Sequence, residues 1–316
     1  MAITGTGTEQ DPYLVHNYDE LKEACEYENY DSETATYGTN YVKLANDIDC
    51  NDYGADWDWE TIELASTSSS SGHTRHYGSL DLDGHTIKNV YVKTGSYYMF
   101  QGHAGGGIAY AYINNGNILN VFVQSSSGFF KQVICNKVSF SGNYSTLSGN
   151  AAMNAVSLNE CAFYLESSNP GGTNKMIFSG SPTRINNSDI EIHIDNCTNV
   201  NSAVVIARGT NEQVSVENSR ITGDITGVGT VTGNSVRFIS NIITVNCVFE
   251  IDINGYEKGD NIESTLVLMA SPTSVINDAK LLPWMTVGTT ITAPSSEAIR
   301  SASALNALGF TVVPRE

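Results

Sequence analysis

The sequence predicts an all-β fold in which short strands coil into a parallel β-helix, and three observations lead to that prediction. Only 16% of the 316 residues are charged, below the usual fraction of about a quarter. Ser, Thr, Asn and Gly, which favour turns and strand edges, take the place of the missing charged residues. From about residue 80 to 255, short apolar runs alternate with those turn residues, without helical periodicity. The hexapeptide Ile87–Val92 (IKNVYV) is echoed by Ile118–Val123 (ILNVFV).

An apolar residue followed two positions later by Asn recurs along this segment. The steps from one Asn to the next are irregular, as is typical of a solenoid whose coils carry turns of different length. Asn accepts the left-handed conformation of a tight corner, and successive corner Asn residues can pair along the stack. The frame consists of Ile87-x-Asn89, Ile118-x-Asn120, Ile134-x-Asn136, Ile185-x-Asn187, Val216-x-Asn218 and Ile239-x-Asn241, with Leu158-Asn159 joining after a one-residue offset.

A β-sandwich is the competing prediction, because it also contains short strands at regular spacing. Its strands would join through two-residue Asn-Gly or Asp-Gly hairpins. Asn115-Gly116 and Asn254-Gly255 fit that pattern, but most of the corners do not. The β-helix is therefore favoured.

Within the turn before the first repeat, Asp81, Asp83 and His85 are expected to reverse the chain, and Asn89 to hold the next corner. Short helices are predicted at both ends, where the strand edges of a solenoid need cover. Residues 18–25 follow the N-cap candidate Asn17, and residues 296–308 form an amphipathic segment ended by Gly309. The predicted organisation is an N-terminal cap with the first coil over 1–79, the β-helix over 80–270 and a C-terminal cap segment over 271–316.

Charge and cysteine usage exclude several classes of protein. The 34 acidic and 16 basic residues give a net charge of −18, which repels nucleic acid. No apolar run approaches the length of a membrane span. The cysteines show no CxxC or zinc-ligand spacing, so we expect buried free thiols in a protein that folds in a reducing cytoplasm. They are Cys25, Cys50, Cys135, Cys161, Cys197 and Cys247.

The densest carboxylate cluster lies between Asp47 and Glu60. Asp47, Asp49 and Asn51 match the first three ligands of a calcium loop, but the sixth and twelfth positions are both Asp instead of Gly and Glu. A strand end followed by a solvated turn is therefore favoured over a calcium site. Two carboxylate pairs, Asp189/Glu191 and Asp224/Glu250, fit the needs of a glycosidase, although outward solvated side chains explain them better.

Other candidate sites carry weaker signals, and no catalytic, cofactor-binding or metal-binding residue is assigned. Gly105–Gly107 precedes no helix, which argues against phosphate binding. The tyrosines of Tyr27–Tyr41 are expected either to cover the end of the solenoid, which is slightly favoured, or to bind a partner. The second aromatic patch, Tyr97–Phe100, is left open between sugar or protein binding and structural cover. The histidines that cluster near a Ser-rich loop are His73, His76, His85 and His103.

The order of elements in the first third of the chain resembles a known family. This order looks like the start of right-handed parallel β-helix proteins, the pectate-lyase-like solenoids of bacterial surfaces and of virions of phages of gut bacteria. The elements that carry the resemblance are Gly5–Val15, the predicted helix near 18–25, Tyr41–Asp49 and Leu82–Asn89. The resemblance covers about residues 5 to 125. The segment 304–310 is also similar to the tails of phage members. The resemblance implies a right-handed β-helix.

The resemblance also implies a function. Since no export signal is visible, we expect a non-enzymatic structural or binding protein of a phage virion: a capsid decoration, head fibre, tail fibre or other tail appendage. It would assemble in the host cytoplasm, contact other virion proteins and host surface glycans, and form a homotrimer. The alternatives are a polysaccharide-degrading tailspike-type enzyme, either a lyase or a glycosidase, and a bacterial surface adhesin.

Lyases of this fold use calcium with an Arg or Lys base, and here no acidic cluster lies beside the arginines of the coil region, which disfavours catalysis. Those arginines are Arg184, Arg208, Arg220 and Arg237.

Overall fold

A computed structural model shows an all-β chain whose neighbouring strands pair mostly in parallel. The chain divides into two compact units, Met1–Asn143 with Ala152–Ala162, and Tyr144–Ala151 with Phe163–Glu316. The residues that the structure describes are 3–27, 30–31, 36–54, 57–64, 66–67, 74–92, 98–102, 111–123, 128–144, 152–168, 177–179, 183–197, 207–208, 214–231, 242–245, 247–258, 265–266, 269–270, 275–276 and 286–287.

The first unit begins with strand β1 and the helix α1, and the remaining elements are strands with one short 3₁₀ turn at Cys50–Tyr53. Its elements are β1 (Tyr13–Val15), α1 (Tyr18–Glu26), β2 (Tyr30–Asp31), β3 (Thr36–Tyr37), β4 (Thr39–Leu44), β5 (Ile48–Asp49), β6 (Ile62–Glu63), β7 (Ser66–Thr67), β8 (Thr74–Asp81), β9 (Thr86–Lys88), β10 (Tyr91–Val92), β11 (Tyr98–Gln101), β12 (Ala111–Val123), β13 (Gly128–Lys131), β14 (Val133–Tyr144, whose last residue lies in the second unit), β15 (Met153–Asn154) and β16 (Ser157–Asn159).

Helix α1 forms as its sequence predicts. The Asn17 side chain accepts a hydrogen bond from the Glu20 amide at 2.9 Å, which satisfies one of the free N–H groups of the first turn. Leu21, Ala24 and Cys25 are buried on one face. Burying Leu21 alone contributes about 1.5–3 kcal/mol. The predicted N-terminal helix is thereby confirmed.

The sequence echo is an in-register pair of stacked strands. Ile118 pairs with Ile87, and Phe122 pairs with Tyr91, both in parallel. The inward side chains Ile87 and Ile118 are fully buried. Repetition of the hexapeptide therefore places like residues above one another in the core.

The predicted apolar-x-Asn frame treats Asn residues from two different corners of the coil as equivalent, and this part of the prediction is wrong. Asn89 and Asn120 both have left-handed backbones, with φ of 59° and 54°. Asn136 and Asn159 do not occupy that position, because the left-handed residues of their strands are the next ones, Lys137 and Glu160. Asn136 hydrogen-bonds to Asn114, so the short step from Asn120 to Asn136 joins unlike positions.

At the second corner, the apolar residue of the Asn frame is not the residue that faces the core. In β14, Cys135 is buried whereas Ile134 is only half-buried, and Cys135 pairs in parallel with the buried Leu158 of β16. Ile134 therefore lies on the outward side of the strand. The strands β6, β11, β13 and β15 pair in parallel as a separate sheet, in which the rings of Phe100 and Phe130 stack with planes 4° apart.

The second unit has the same parallel pairing. Ile185 pairs with Val216, and Val216 pairs in turn with Thr244. The frame position expected at Ile239-x-Asn241 is thus taken by Thr244, while Ile239 and Asn241 lie outside the described residues. Its strands are β17 (Ala162–Ser168, whose first residue lies in the first unit), β18 (Phe178–Ser179), β19 (Thr183–Asn186), β20 (Asp189–Cys197), β21 (Ala207–Arg208), β22 (Val214–Glu217), β23 (Arg220–Val231), β24 (Ile242–Val245), β25 (Val248–Lys258), β26 (Thr265–Leu266), β27 (Met269–Ala270), β28 (Val275–Ile276) and β29 (Thr286–Val287).

The parallel pairing contradicts the β-sandwich alternative, because the strands of a sandwich pair antiparallel. Among the described strands, antiparallel pairs join only β2 to β3 and β7 to β8. Asn115-Gly116 lies within β12 instead of forming a two-residue hairpin. The predicted C-terminal helix, 296–308, falls outside the described residues.

The prediction of buried free thiols is confirmed wherever the cysteine side chain is described. These thiols pack among the apolar side chains of the core, as expected for small hydrophobes. The buried free cysteines are Cys25, Cys50, Cys135, Cys161 and Cys247.

Candidate functional site

The predicted Asp-rich segment uses its first two carboxylates to hold neighbouring strands together. Asp47 Oδ1 accepts hydrogen bonds from the Thr86 amide at 2.9 Å and from His85 Nδ1 at 3.3 Å. Asp49 Oδ1 accepts from Asn89 Nδ2 at 2.7 Å. These contacts join residues that are distant in the sequence, so the two aspartates stabilise the stacking of β5 on β9.

Asp49 also caps the 3₁₀ turn that follows β5. Its carboxylate accepts the Asn51 amide at 3.1 Å, and Lys88 Nζ lies 3.2 Å from its second oxygen. The hydrogen bond from Asn89, followed by those from the Asn51 amide and Lys88, holds the pKa of Asp49 below its ordinary value. Three oxygens that a calcium ion would need, Asp47 Oδ1 and both oxygens of Asp49, face N–H donors. Among the described residues, no group of three or more His, Cys, Asp or Glu side chains is arranged to hold a metal ion.

The turn after β8 is built as expected. Asp83 and Gly84 have φ of 49° and 82°, and Asp81 Oδ1 accepts the Asp83 amide at 3.0 Å. His85 completes the turn with a hydrogen bond from its amide to the Leu82 carbonyl at 2.7 Å. The Asp and His residues of this stretch therefore shape the chain.

The other sequence candidates do not assemble into a site in the described part of the chain. Tyr98, Met99 and Phe100 are buried, so their interpretation as a binding surface is wrong. Tyr27 is exposed and contacts the ring of Tyr13 edge-on at 6.0 Å. Several candidates lie outside the described residues, namely His73, His103, Gly105–Gly107, Arg237 and most of 28–37. Nothing is described for the side chains of His76 and Arg208.

The second unit brings together a histidine and two carboxylates on its outward side, here called the His193 cluster (Tyr164, Glu191, His193 and Asp224). Glu191 and His193 lie two residues apart on β20, so both point away from the buried Ile192 between them. Asp224 pairs with His193 across β23 in parallel register. The alternation of β20 and the register of β23 therefore fix the three groups side by side.

Both ring nitrogens of His193 face carboxylates. Nε2 lies 2.8 Å from Glu191 Oε1, and Nδ1 contacts Asp224 Oδ1. Burial lowers the pKa of His193, but the hydrogen bonds with Glu191 and Asp224 raise it by more, so the pKa lies above its ordinary value. The Tyr164 ring lies over the imidazole with centroids 5.2 Å apart.

This geometry decides which chemistry the cluster supports. Only the imidazolium donates from both nitrogens at once, so below its raised pKa His193 bridges Glu191 and Asp224 and has no lone pair left for a substrate proton. The cluster therefore behaves as an ion triplet that ties β20 to β23. A general base needs a free lone pair within reach of the proton that it removes.

The structure combines one carboxylate from each of the two pairs considered for a glycosidase. Asp189 pairs across the strands with Arg220, and Glu250 pairs with Thr222. The carboxylates that share a partner are Glu191 and Asp224, one from each predicted pair. Sequence spacing does not reveal this combination, because the parallel register of β20 and β23 creates it.

The first unit presents a second outward surface, here called the aromatic–amide face. The strands β4, β8 and β12 place Tyr41, Ser79 and Tyr112 in register, with 43% of Tyr112 exposed. The next outward column includes Asn114, Asn136 and Asn159. The face consists of Tyr41, Lys43, Ser79, Asp81, Tyr112, Asn114, Ile134, Asn136, Ser157 and Asn159.

The amides of this face form a ladder across three strands. Asn136 Nδ2 donates to Asn114 Oδ1 at 2.8 Å, and Asn159 Nδ2 donates to Asn136 Oδ1 at 2.9 Å. The predicted pairing of successive frame residues is confirmed for Asn136 with Asn159 and for Asn89 with Asn120, whose side chains bond at 3.2 Å, while Asn114 joins the ladder from outside the frame. The signal that would have found this ladder is the alternation of Val133–Asn136, which places Cys135 inside and its neighbours outside.

Comparisons with known proteins identify no relative: no family model, curated protein or solved structure matches the chain. In the described residues, no helix has the length and apolarity that crossing a membrane requires.

Proposed function

We propose that the chain is a right-handed parallel β-helix that serves as a non-enzymatic structural and binding protein of a phage particle. It acts as a capsid decoration, head fibre or tail appendage, and its outward faces contact other virion proteins and host surface glycans. It assembles in the host cytoplasm and forms a homotrimer.

The observation that carries this proposal is the in-register parallel stacking of segments that are distant in the sequence. Ile87 pairs with Ile118, Cys135 with Leu158 and Ile185 with Val216, and all of these side chains are buried. A β-helix explains this stacking of buried side chains, since each coil covers the apolar face of the next. Stacked coils make a rigid scaffold whose outward residues are free to vary.

The outward groups support binding over catalysis. Asp47 and Asp49 are engaged by backbone and side-chain donors, and His193 is held between Glu191 and Asp224. Exposed aromatic rings such as Tyr112 are suited to contact with sugars or proteins. The assignment to a phage particle rests on the resemblance of residues 5 to 125 to phage members of the β-helix proteins.

Mass spectrometry of purified particles tests virion membership. The encoding phage is grown on its host, the particles are banded on a density gradient, and peptides of the chain are sought in the band. Co-purification at a fixed ratio to the capsid protein supports the proposal, whereas absence from the particle refutes it. Light scattering of the isolated chain tests the trimer, which a monomer mass contradicts.

Incubation with host capsular and wall glycans separates the proposal from the enzymatic alternative. New reducing ends or unsaturated products that are lost in Glu191→Gln and Asp224→Asn would establish a polysaccharide-degrading enzyme. Glu166→Gln, which changes an exposed carboxylate of β17, is the matched control. The non-enzymatic proposal expects no turnover by the unmodified chain or by any of these variants.

A further inference from the structure

The aromatic–amide face combines two outward, mostly half-buried columns of side chains with complementary chemistry. Along one column, Ser79 lies between Tyr41 and Tyr112 on adjacent strands. Neighbouring strands lie about 4.8 Å apart, so the two tyrosines start about 9.6 Å from each other. Contact with both faces of an inserted ring requires about 7–8 Å. The small side chain of Ser79 therefore leaves room for a ring between the two tyrosine positions.

The second column offers regularly repeated donors and acceptors. Each Asn side chain has two N–H donors and two acceptor lone pairs. Asn136 uses one donor toward Asn114 and one acceptor toward Asn159, and all three side chains are half-exposed. One donor and one acceptor of Asn136 remain for a ligand. Hydroxyl groups, which both donate and accept, match such a column.

Ile134 and Ser157 extend the aromatic column beyond Tyr112. The Asn114–Asn136 bond and the bond from the Ala111 amide to the Gln132 carbonyl place Ile134 beside Tyr112. Ser157 pairs with Ile134 in register. The face thus carries aromatic and aliphatic side chains with small serines along one column, and amides beside Lys43 and Asp81 along the other.

The charged side chains of the face have partners within the protein. Lys43 Nζ lies 2.9 Å from Asp83 Oδ2, and Asp81 Oδ1 accepts from the Asp83 amide and from Asn115 Nδ2. The whole chain carries a net charge of −18, which repels anionic polymers. A ligand of this face is therefore neutral, with apolar ring faces and many hydroxyls.

We propose that the aromatic–amide face binds a neutral glycan, with one sugar ring between Tyr41 and Tyr112 and hydroxyl groups hydrogen-bonded to the Asn114–Asn136–Asn159 ladder. This inference rests on the proposed function, because it names the site and the ligand class of a binding protein. The apolar face of a pyranose stacks on an aromatic ring, and its hydroxyls lie at the ring edge, where the amides stand.

Isothermal titration with defined oligosaccharides tests the proposal. The probes are the hexasaccharides of maltose, cellulose, chitin, xylan and mannan type, with hexagalacturonate as the anionic comparison. The full chain is expected to bind at least one neutral probe and to bind hexagalacturonate more weakly. Failure to bind any neutral probe, or a preference for the anionic one, overturns the proposal.

Two substitutions locate the binding. Tyr112→Ala is expected to weaken binding roughly tenfold through loss of the aromatic wall, and Asn136→Ala roughly threefold to tenfold through loss of its hydrogen bonds. Tyr164→Ala is the matched control, since Tyr164 is 40% exposed but belongs to the other unit. Unchanged binding by Tyr112→Ala, or equal loss by Tyr164→Ala, contradicts the assignment. Circular dichroism and the urea midpoint check that each variant is folded.

A second copy of the chain is the competing occupant of the face. If Tyr112→Ala abolishes a concentration-dependent association while no neutral probe binds, the face is an interface between copies and the glycan proposal fails. The particle experiment is independent of these outcomes. A chain present in virions without glycan binding refutes only the present inference, and glycan binding without virion membership refutes only the proposed function.

Discussion

Truncation of Ile118 tests whether the repeated hexapeptide stacks inward. Ile118 is fully buried and pairs with the equally buried Ile87, whereas the adjacent Leu119 is half-buried on the outward side. Ile118→Ala removes three carbons from the core, at about 0.8 kcal/mol each, or about 2.4 kcal/mol in total. The cavity left behind brings the expected loss of unfolding free energy to about 3–4 kcal/mol.

Leu119→Ala is the matched control, because it also removes three carbons. Its side chain is already partly hydrated, so we expect a loss of less than about 1 kcal/mol. Urea unfolding is followed by tryptophan fluorescence in a Trp284→Phe background, which leaves Trp57 and Trp59, both in the first unit, as reporters. Equal losses for the two variants, or a larger loss for Leu119→Ala, would refute the inward alternation of β12.

Three further predictions follow from the described contacts. The pKa of His193 in the folded chain lies above 6.5. The ion pairs of the His193 imidazolium therefore stabilise the fold below pH 6.5, and this stabilisation is lost as the pH rises through the folded pKa. NMR titration should show a lower His193 pKa in Glu191→Gln, and an unchanged pKa would contradict the ion triplet. Gly223→Ala should destabilise the fold far more than Gly84→Ala, because a Cβ at Gly223 would meet the Ile192 backbone, whereas a Cβ at Gly84 would enter open space. Gly84→Ala should lower the unfolding free energy only through the positive φ of that residue, by roughly 1 kcal/mol. Equal falls of the urea midpoint in the two variants would contradict this difference. In a Cys197→Ser variant, a water-soluble maleimide should label less than one thiol per folded chain. After denaturation, the same reagent should label all five buried thiols. Rapid labelling of several thiols in the folded chain would contradict their burial.

Local sequence rules predicted the parts of the fold that depend on adjacent residues. Helix α1, its Asn17 cap and the Asp83-Gly84 turn follow from capping and backbone preferences. The echo of Ile87 by Ile118 was visible because both segments repeat the same inward and outward alternation.

The Asn frame failed where two corners share one residue type. The left-handed position is taken, as predicted, by the frame residues Asn89, Asn120, Asn187 and Asn218. Beside Asn136 and Asn159, however, the next residues Lys137 and Glu160 take it, and Asn136 faces outward. Residue identity alone does not distinguish these positions. The strand alternation decides between them, because a shift of one residue exchanges the two faces.

The aromatic–amide face and the His193 cluster were beyond sequence reasoning, since each depends on register between distant strands. Tyr41 and Tyr112 lie far apart in the sequence and become neighbours of Ser79 only through the pairing of β4, β8 and β12. Likewise, Asp224 reaches His193 through the register of β23 on β20. By contrast, the sequence left Tyr97–Phe100 open between binding and structural cover, and burial of Tyr98–Phe100 decides against binding.

Disulfide cross-linking of one registered pair tests the stacking of the coils most directly. Lys88 and Leu119 are register partners on the outward side of β9 and β12, and parallel neighbours about 4.8 Å apart fall within the Cα range that a disulfide spans. Lys88→Cys with Leu119→Cys should therefore oxidise rapidly to an intramolecular disulfide. The offset control, Lys88→Cys with Asn117→Cys, places the same thiols two residues out of register and should remain reduced. Efficient cross-linking of the offset pair, or none in the registered pair, would contradict the register of β9 on β12 on which the proposed β-helix depends.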